Sequence, residues 1–111
     1  MVEKEHILQK KEEICEVGHL LWQLGFVAAN DGNISVKLDE DRFLITPTGI
    51  SKRQLTPDMI LEINSKGEVL SGDPTYRPTS EVPMHMRCYH DREDVRAVVH
   101  AHPPTATGYA V

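Results

Sequence analysis

Between residues 3 and 24 the apolar side chains Ile7, Ile14, Val17, Leu21 and Leu24 are separated by seven, three, four and three positions. That spacing predicts one helix with a single apolar stripe, Glu12, Glu13 and Glu16 lying mostly off it. Gly25 supplies a stop. The period then changes from helical to alternating: Ile34, Val36 and Leu38 alternate with Ser35 and Lys37, which is strand spacing. Asp39-Glu40-Asp41 reads as a turn and Arg42 to Thr46 as a second strand, so the pair is an antiparallel hairpin. Thr46-Pro47-Thr48-Gly49 is a loop by its proline and glycine.

Thr56-Pro57-Asp58 opens a short helical turn, with Thr56 as N-cap and Pro57 at the first position. Ile60 to Ile63 and Glu68 to Leu70 flank Asn64-Ser65-Lys66-Gly67 and predict a second hairpin. Residues 71 to 78 form a Gly/Pro-rich loop. Thr79 and Ser80 then cap a helix running to about His90, Val95 to His102 is a strand, and Thr105 caps a further helix. Helix, antiparallel strands, helix, strand, helix is an α+β or layered α/β/α order. The apolar end Thr107-Gly108-Tyr109-Ala110-Val111 has no capping residue or charged stop after it. We expect from this a fragment of a longer protein.

The chain has 111 residues, one domain at most. With 40% hydrophobic and 26% charged residues it is expected to fold rather than remain disordered. A formal net charge of -5 argues against a nucleic-acid-binding surface. There is no long apolar run for a membrane span, and the charged start Met1-Val2-Glu3-Lys4-Glu5-His6 lacks the core of a signal peptide. The two cysteines, Cys15 and Cys88, fit free thiols in a reducing cytoplasm.

Candidate chemistry concentrates at Val98-Val99-His100-Ala101-His102-Pro103-Pro104. In a strand, positions two apart point to one face, so His100 and His102 would project side by side. Two neutral imidazoles at a strand end suit zinc or a similar ion, although satisfied strand histidines are the competing reading. A catalytic zinc site usually has three protein ligands. His6, His19 and His90 lie on helices or at a helix end and offer no third. Glu81, at the start of the predicted second helix, is either a carboxylate favoured by the helix dipole or a general base or transient metal ligand beside the histidines. His85, four residues on, shares its helix face and either packs or supports the carboxylate.

Three loops could hold an anion: Gly32-Asn33, Thr48-Gly49 and Thr79-Ser80. Each offers hydroxyl, amide or bare backbone N–H donors, and the last stands at a helix N-terminus, where a phosphate is favoured. Each is also an ordinary turn or N-cap. Neutral donors suit a phosphate dianion on an acidic protein.

Taken in order, Gly32-Asn33-Ile34-Ser35-Val36, Ile45-Thr46-Pro47-Thr48-Gly49, Pro78-Thr79-Ser80-Glu81 and Val98-Val99-His100-Ala101-His102 resemble the class II aldolase/adducin head family. The resemblance runs from the first helix to Val111 and corresponds to the N-terminal part of a single class II aldolase-like domain, residues 1–111. It implies a three-layer α/β/α domain around a mainly antiparallel sheet, usually a cyclic homotetramer with sites at subunit interfaces. It implies that His100 and His102 are two of three zinc ligands, the third lying beyond Val111. Glu81 would be the catalytic acid/base, and Gly32, Asn33, Thr48, Gly49, Thr79 and Ser80 the holders of the substrate phosphate. Thr79 stands where the family more often has serine. Glu81, where the family's epimerases tend to carry Asp, points to aldolase-type cleavage.

The implied activity is a zinc-dependent aldolase or lyase acting on a small sugar phosphate, with reversible C–C cleavage through a metal-stabilised enediolate. The alternatives are an epimerase or dehydratase on the same scaffold, or a non-catalytic adducin-like assembly module. The 111-residue chain alone, with one ligand missing, is expected to be inactive.

Overall fold

The computed structural model describes residues 3–27 and 32–101. Its order is α1 (Lys4–Gln23), β1 (Asn33–Asp39), β2 (Arg42–Ile45), 3₁₀ turns at Lys52–Gln54 and Pro57–Met59, β3 (Leu61–Ile63), β4 (Val69–Ser71), α2 (Val82–Asp91) and β5 (Ala97–His100). The predicted alternation has its physical counterpart in one five-stranded sheet of order β4-β3-β2-β1-β5. Every neighbouring pair is antiparallel. β1 is central to the site because it pairs with β2 on one side (Ser35 opposite Ile45) and with β5 on the other (Asn33 opposite His100).

Alternation along these strands produces two cores, one on each side of the sheet. Ile34 and Leu44 face α1 and bury against Ile14, Cys15, Leu55 and Ile60. Phe43, Ile45, Leu61 and Ile63 face α2 and bury against Tyr89. Helix, sheet, helix is the expected α/β/α layering. Directly opposed residues in an antiparallel pair share a face, so Asn33, Ser35, Val98 and His100 all lie on the α2 side.

The stripe on α1 differs from the one the spacing predicts. Ile14, Cys15 and Gly18 are its buried positions, with Ile7 and Leu21 packed beside them, whereas Val17 is 39% and Leu24 57% exposed. Gly18 turns the helix face. A Cβ there would stand 2.8 Å from Leu55 Cδ1, so the missing side chain is what lets Leu55 seat under the helix. His19 reinforces the contact by donating from Nε2 to the Leu55 carbonyl at 2.9 Å.

Two other boundaries move and one expected cap differs. α2 begins at Val82, with Glu81 as N-cap, rather than being capped by Thr79 and Ser80. Pro83 falls in the first helical turn, where its missing N–H costs no hydrogen bond, and the turn before it is held separately. Thr56 does sit at an N-cap, but its side chain caps no backbone N–H; its hydroxyl donates to Asp58 Oδ1 instead. β5 begins at Ala97 rather than Val95, because Val95 closes a turn by donating its N–H to the Arg92 carbonyl. The predicted positions of His102 and of the helix capped by Thr105 lie outside the described residues. Among the described residues, no helix is long and apolar enough to cross a membrane.

Candidate active site

The first two candidate loops are tied through Ile34 and Thr46. Thr46 donates its N–H to the Ile34 carbonyl at 3.0 Å, and its hydroxyl oxygen accepts from the Ile34 N–H at 3.1 Å. The hydroxyl takes the place of a backbone acceptor where β2 leaves the sheet, and Thr46 is fully buried. The third loop is laced on by a bridge between Pro47 and Pro78. Thr48 N–H donates to the Arg77 carbonyl at 2.8 Å, and Thr79 N–H to the Thr46 carbonyl at 3.3 Å. Three segments far apart in sequence therefore meet at one end of the sheet: Gly32-Asn33, Thr46 to Gly49, and Pro78 to Glu81.

Within this junction the supporting and the accessible groups are different residues. Asn33 and Thr79 are buried, Gly32 and Glu81 half-buried, and Thr48, Gly49 and Ser80 exposed. Thr79 folds the chain into Glu81 by accepting the Glu81 N–H on its hydroxyl at 3.2 Å. Gly49 adopts φ +76, and nothing among the described residues approaches the position of a Cβ there within 4 Å, so on that side its backbone is open to a ligand. Gly32 adopts φ +84 for the opposite reason. A Cβ would meet Val27 Cγ1 at 2.6 Å and the His100 carbonyl at 3.1 Å, so glycine allows β5 and the chain around Val27 to close on the start of β1.

His100 is half-buried and stands opposite Asn33 across the β1–β5 ladder. His85 reaches the same place from α2. It is fully buried, with Nδ1 at 2.6 Å from Ser35 Oγ and Nε2 bonded to Asn33 Oδ1. Ser35 Oγ is also bonded to Tyr89 Oη at 2.8 Å. Burial pushes the His85 pKa down to about 4, helped by the proximity of His100, so the ring is neutral near pH 7. Burial likewise lifts the Tyr89 hydroxyl to about 12. With both ring nitrogens engaged, His85 is excluded as a metal ligand or proton-transfer base in this arrangement; of the two roles expected for it, support describes it better than packing alone. Its object is Asn33 rather than Glu81.

Ser35 and Tyr89 are the residues that sequence reasoning missed. The signal was present: Ser35 interrupts an otherwise apolar neighbourhood at an inward-facing strand position, and Tyr89 follows His85 by four residues on one helix face. Among the described residues no group of three or more His, Cys, Asp or Glu side chains could hold a metal. His100 offers an imidazole of the right chemistry for a zinc-type ion, and Glu81 stands at the head of α2. The second imidazole expected for the site, His102, lies outside the described residues. A groove of about 500 Å3 lined by Lys37, Phe43, Tyr89, Glu93 and Arg96 lies elsewhere on the α2 side, and includes none of the expected site residues.

Known proteins resemble this chain over most of its length. The chain is 33% identical over 95 residues to 3-oxo-tetronate 4-phosphate decarboxylase of Haemophilus influenzae, covering 86% of this chain and 44% of that protein. It is 33% identical over 98 residues to L-fuculose phosphate aldolase of Methanococcus maripaludis, covering 88% of this chain and 52% of the relative. The crystal structure of YgbL from Escherichia coli superposes with a TM-score of 0.83 at 30% identity, covering 92% of this chain and 48% of that one. The chain thus spans about half the length of the relatives it matches. Residues 12–111 match the family described as the class II aldolase and adducin N-terminal domain, and it is to this family that the chain belongs.

Proposed function

We propose that the chain carries the phosphate-holding loops and the proton-transfer residue of a divalent-metal-dependent lyase that breaks a carbon–carbon bond in a small sugar phosphate. The observation that carries this reading is the convergence of Gly32-Asn33, Thr48-Gly49 and Thr79-Ser80 through the Ile34–Thr46–Thr79 hydrogen bonds. In this reading the Thr48 and Ser80 hydroxyls, the Gly49 N–H and the Asn33 amide donate to phosphate oxygens. Gly32 and Thr79 hold the backbone that presents them. Glu81 takes a proton from the substrate and returns it.

His100 and His102 would hold a divalent cation, zinc foremost, with a further protein ligand from outside residues 1–111. When bound, such a cation withdraws electron density from a carbonyl or hydroxyl oxygen. The two relatives are named as an aldolase and a decarboxylase, and both names denote cleavage of a carbon–carbon bond. We therefore favour cleavage over epimerisation or dehydration. A cytoplasmic homotetramer belongs to the same reading.

The test is zinc content by elemental mass spectrometry after dialysis against dilute zinc, on the wild-type chain and on His100→Ala/His102→Ala. Zinc bound by the wild type and lost from the double variant supports the reading. Metal-free protein in both cases would mean that the two histidines are not a competent site as they stand, leaving a fragment or an assembly module as the better description. Residues 1–111 alone are expected to turn over no substrate, and rapid cleavage of a sugar phosphate by that chain would overturn the need for a further ligand.

A further inference from the structure

Four side chains on the α2 side of the sheet are joined in a line: Tyr89 to Ser35 at 2.8 Å, Ser35 to His85 at 2.6 Å, and His85 to Asn33. All four are at most 5% exposed, so their protons are shared along the line and with the Val98 backbone, whose N–H donates to the Tyr89 oxygen. The order follows from the Asn33 oxygen facing His85. An amide oxygen only accepts, so His85 Nε2 carries the ring proton and donates to Asn33 Oδ1. His85 Nδ1 is then a bare lone pair and accepts the Ser35 hydroxyl proton. Ser35 Oγ, with its own proton used, accepts the Tyr89 O–H.

The consequence falls on Asn33. Its oxygen faces His85, which leaves the two N–H groups as the amide's donors. An asparagine amide is nearly symmetric in shape. Turned over, it would set a carbonyl oxygen against an anionic oxygen, exchanging attraction for repulsion. On a chain of net charge -5, whose anion-holding loops rely on neutral donors, which way that amide faces matters more than it would beside a lysine.

We propose that Tyr89, Ser35 and His85 form a positioning relay that locks the Asn33 amide with its N–H donors toward an anionic oxygen of the phosphorylated substrate. The proposal rests on the phosphate reading above and assigns roles to three residues that do not touch substrate. The relay runs from the middle of α2 through β1 to the loop junction, so it also ties the orientation of that amide to the docking of α2 on the sheet.

Two measurements on the full chain test it. The first is long-range proton–nitrogen NMR of the histidine rings. It should show His85 as the Nε2–H tautomer, mixing with the other tautomer in Ser35→Ala. A wild-type Nδ1–H tautomer reverses every bond in the line, faces the Asn33 oxygen outward and overturns the relay. The second is the affinity for inorganic phosphate. Ser35→Ala should weaken it roughly tenfold, the scale of one lost hydrogen bond to a charged group, with Ser35→Thr restoring most of it and zinc content unchanged. Tyr89→Phe keeps the ring packed on Phe43, whose centroid is 4.9 Å away, and should show a smaller loss in a folded protein. Unchanged phosphate affinity in Ser35→Ala, or loss of zinc in parallel, overturns the proposal. A wild-type protein with the Nε2–H tautomer that binds no phosphate overturns the function proposed above instead, so the two failures are distinguishable.

Discussion

The two sides of the sheet are built from alternate residues of the same strands, yet they are different materials. On the α1 side, Ile34 and Leu44 meet Ile14, Cys15, Leu55 and Ile60 in an apolar core. Cys15 behaves there as a small hydrophobe, burial pushing its thiol up to about 11. On the α2 side an apolar patch of Phe43, Ile45, Leu61 and Ile63 gives way, toward the loop junction, to buried Ser35, His85 and Asn33. Apolar packing tolerates small rearrangements, whereas a buried polar line is stable only when every member is satisfied. The α1 side is therefore placed to supply stability, and the α2 side to supply geometry.

The largest expected effect separates the two directly. Leu44 is fully buried on the α1 side, and Leu44→Ala should cost about 2–5 kcal/mol, as truncations that leave a core cavity do. Urea unfolding should show a lower midpoint with an unchanged slope. The His85 tautomer in the molecules that remain folded should not change. A disturbed His85 would mean that the two sides are mechanically coupled and that the contrast is false.

The α2 side should instead be sensitive to acid. His85 has a folded pKa of about 4 against an ordinary value of 6.5. Between those values the unfolded chain binds a proton that the folded chain refuses, so stability rises with pH across that window. The neutral ring's contribution is fully present above about pH 6.5 and is lost as pH falls toward 4, amounting to at most roughly 3 kcal/mol. His85→Gln should lower stability at neutral pH and flatten this slope. A slope equal to that of the wild type would assign the acid sensitivity to other groups.

The same contrast explains what could be read in advance. The α1 side, the hairpins and the layered order were legible because apolar periodicity reports burial directly. The three loops were legible as candidates because Gly, Asn, Thr and Ser mark places where backbone donors are bare. Their meeting was not, since it depends on Thr46 using a side-chain hydroxyl as a strand acceptor and on the Pro47–Pro78 bridge, and neither has a local signature. Gly18 shifted the buried stripe of α1 for a similar reason: its part is to leave room for Leu55, a residue 37 positions away (55 − 18). His85 was visible as a residue near Glu81, but its partners lie on β1, beyond the reach of helical spacing.

A smaller effect compares two glycines of the loop junction. Both have positive φ, but a Cβ at Gly49 meets none of the described residues, whereas at Gly32 it runs into Val27 and the His100 carbonyl. Gly49→Ala should cost about 1–2 kcal/mol, the strain of a left-handed backbone at a residue with a side chain. Gly32→Ala should cost more and should displace the end of β5, read as amide shift changes at Val99 and His100. Equal costs and undisturbed β5 resonances would show that the close approach at Gly32 relaxes freely.

The smallest effect belongs to the one bidentate ion pair described on the α1 side. Glu62 alternates with the α2-facing Leu61 and Ile63, and accepts from Arg42 Nε at 2.8 Å and from another guanidinium nitrogen at 3.0 Å. The side chains are 32% exposed for Arg42 and 10% for Glu62. Such a pair is more than a fully solvated surface contact, because the fork geometry matches and one partner is shielded. It remains open enough to water for its net contribution to stay near 1 kcal/mol. Glu62→Gln keeps the shape and one hydrogen bond while removing the charge, so it should lower stability by about that amount or less, and high salt should narrow the gap between variant and wild type. Phosphate affinity should not change, because nothing in the Arg42–Glu62 pair touches Thr46, Thr79 or Asn33. A loss of phosphate binding in Glu62→Gln would mean that the α1 side also sets the geometry of the loops, and would end the division of labour between the two sides.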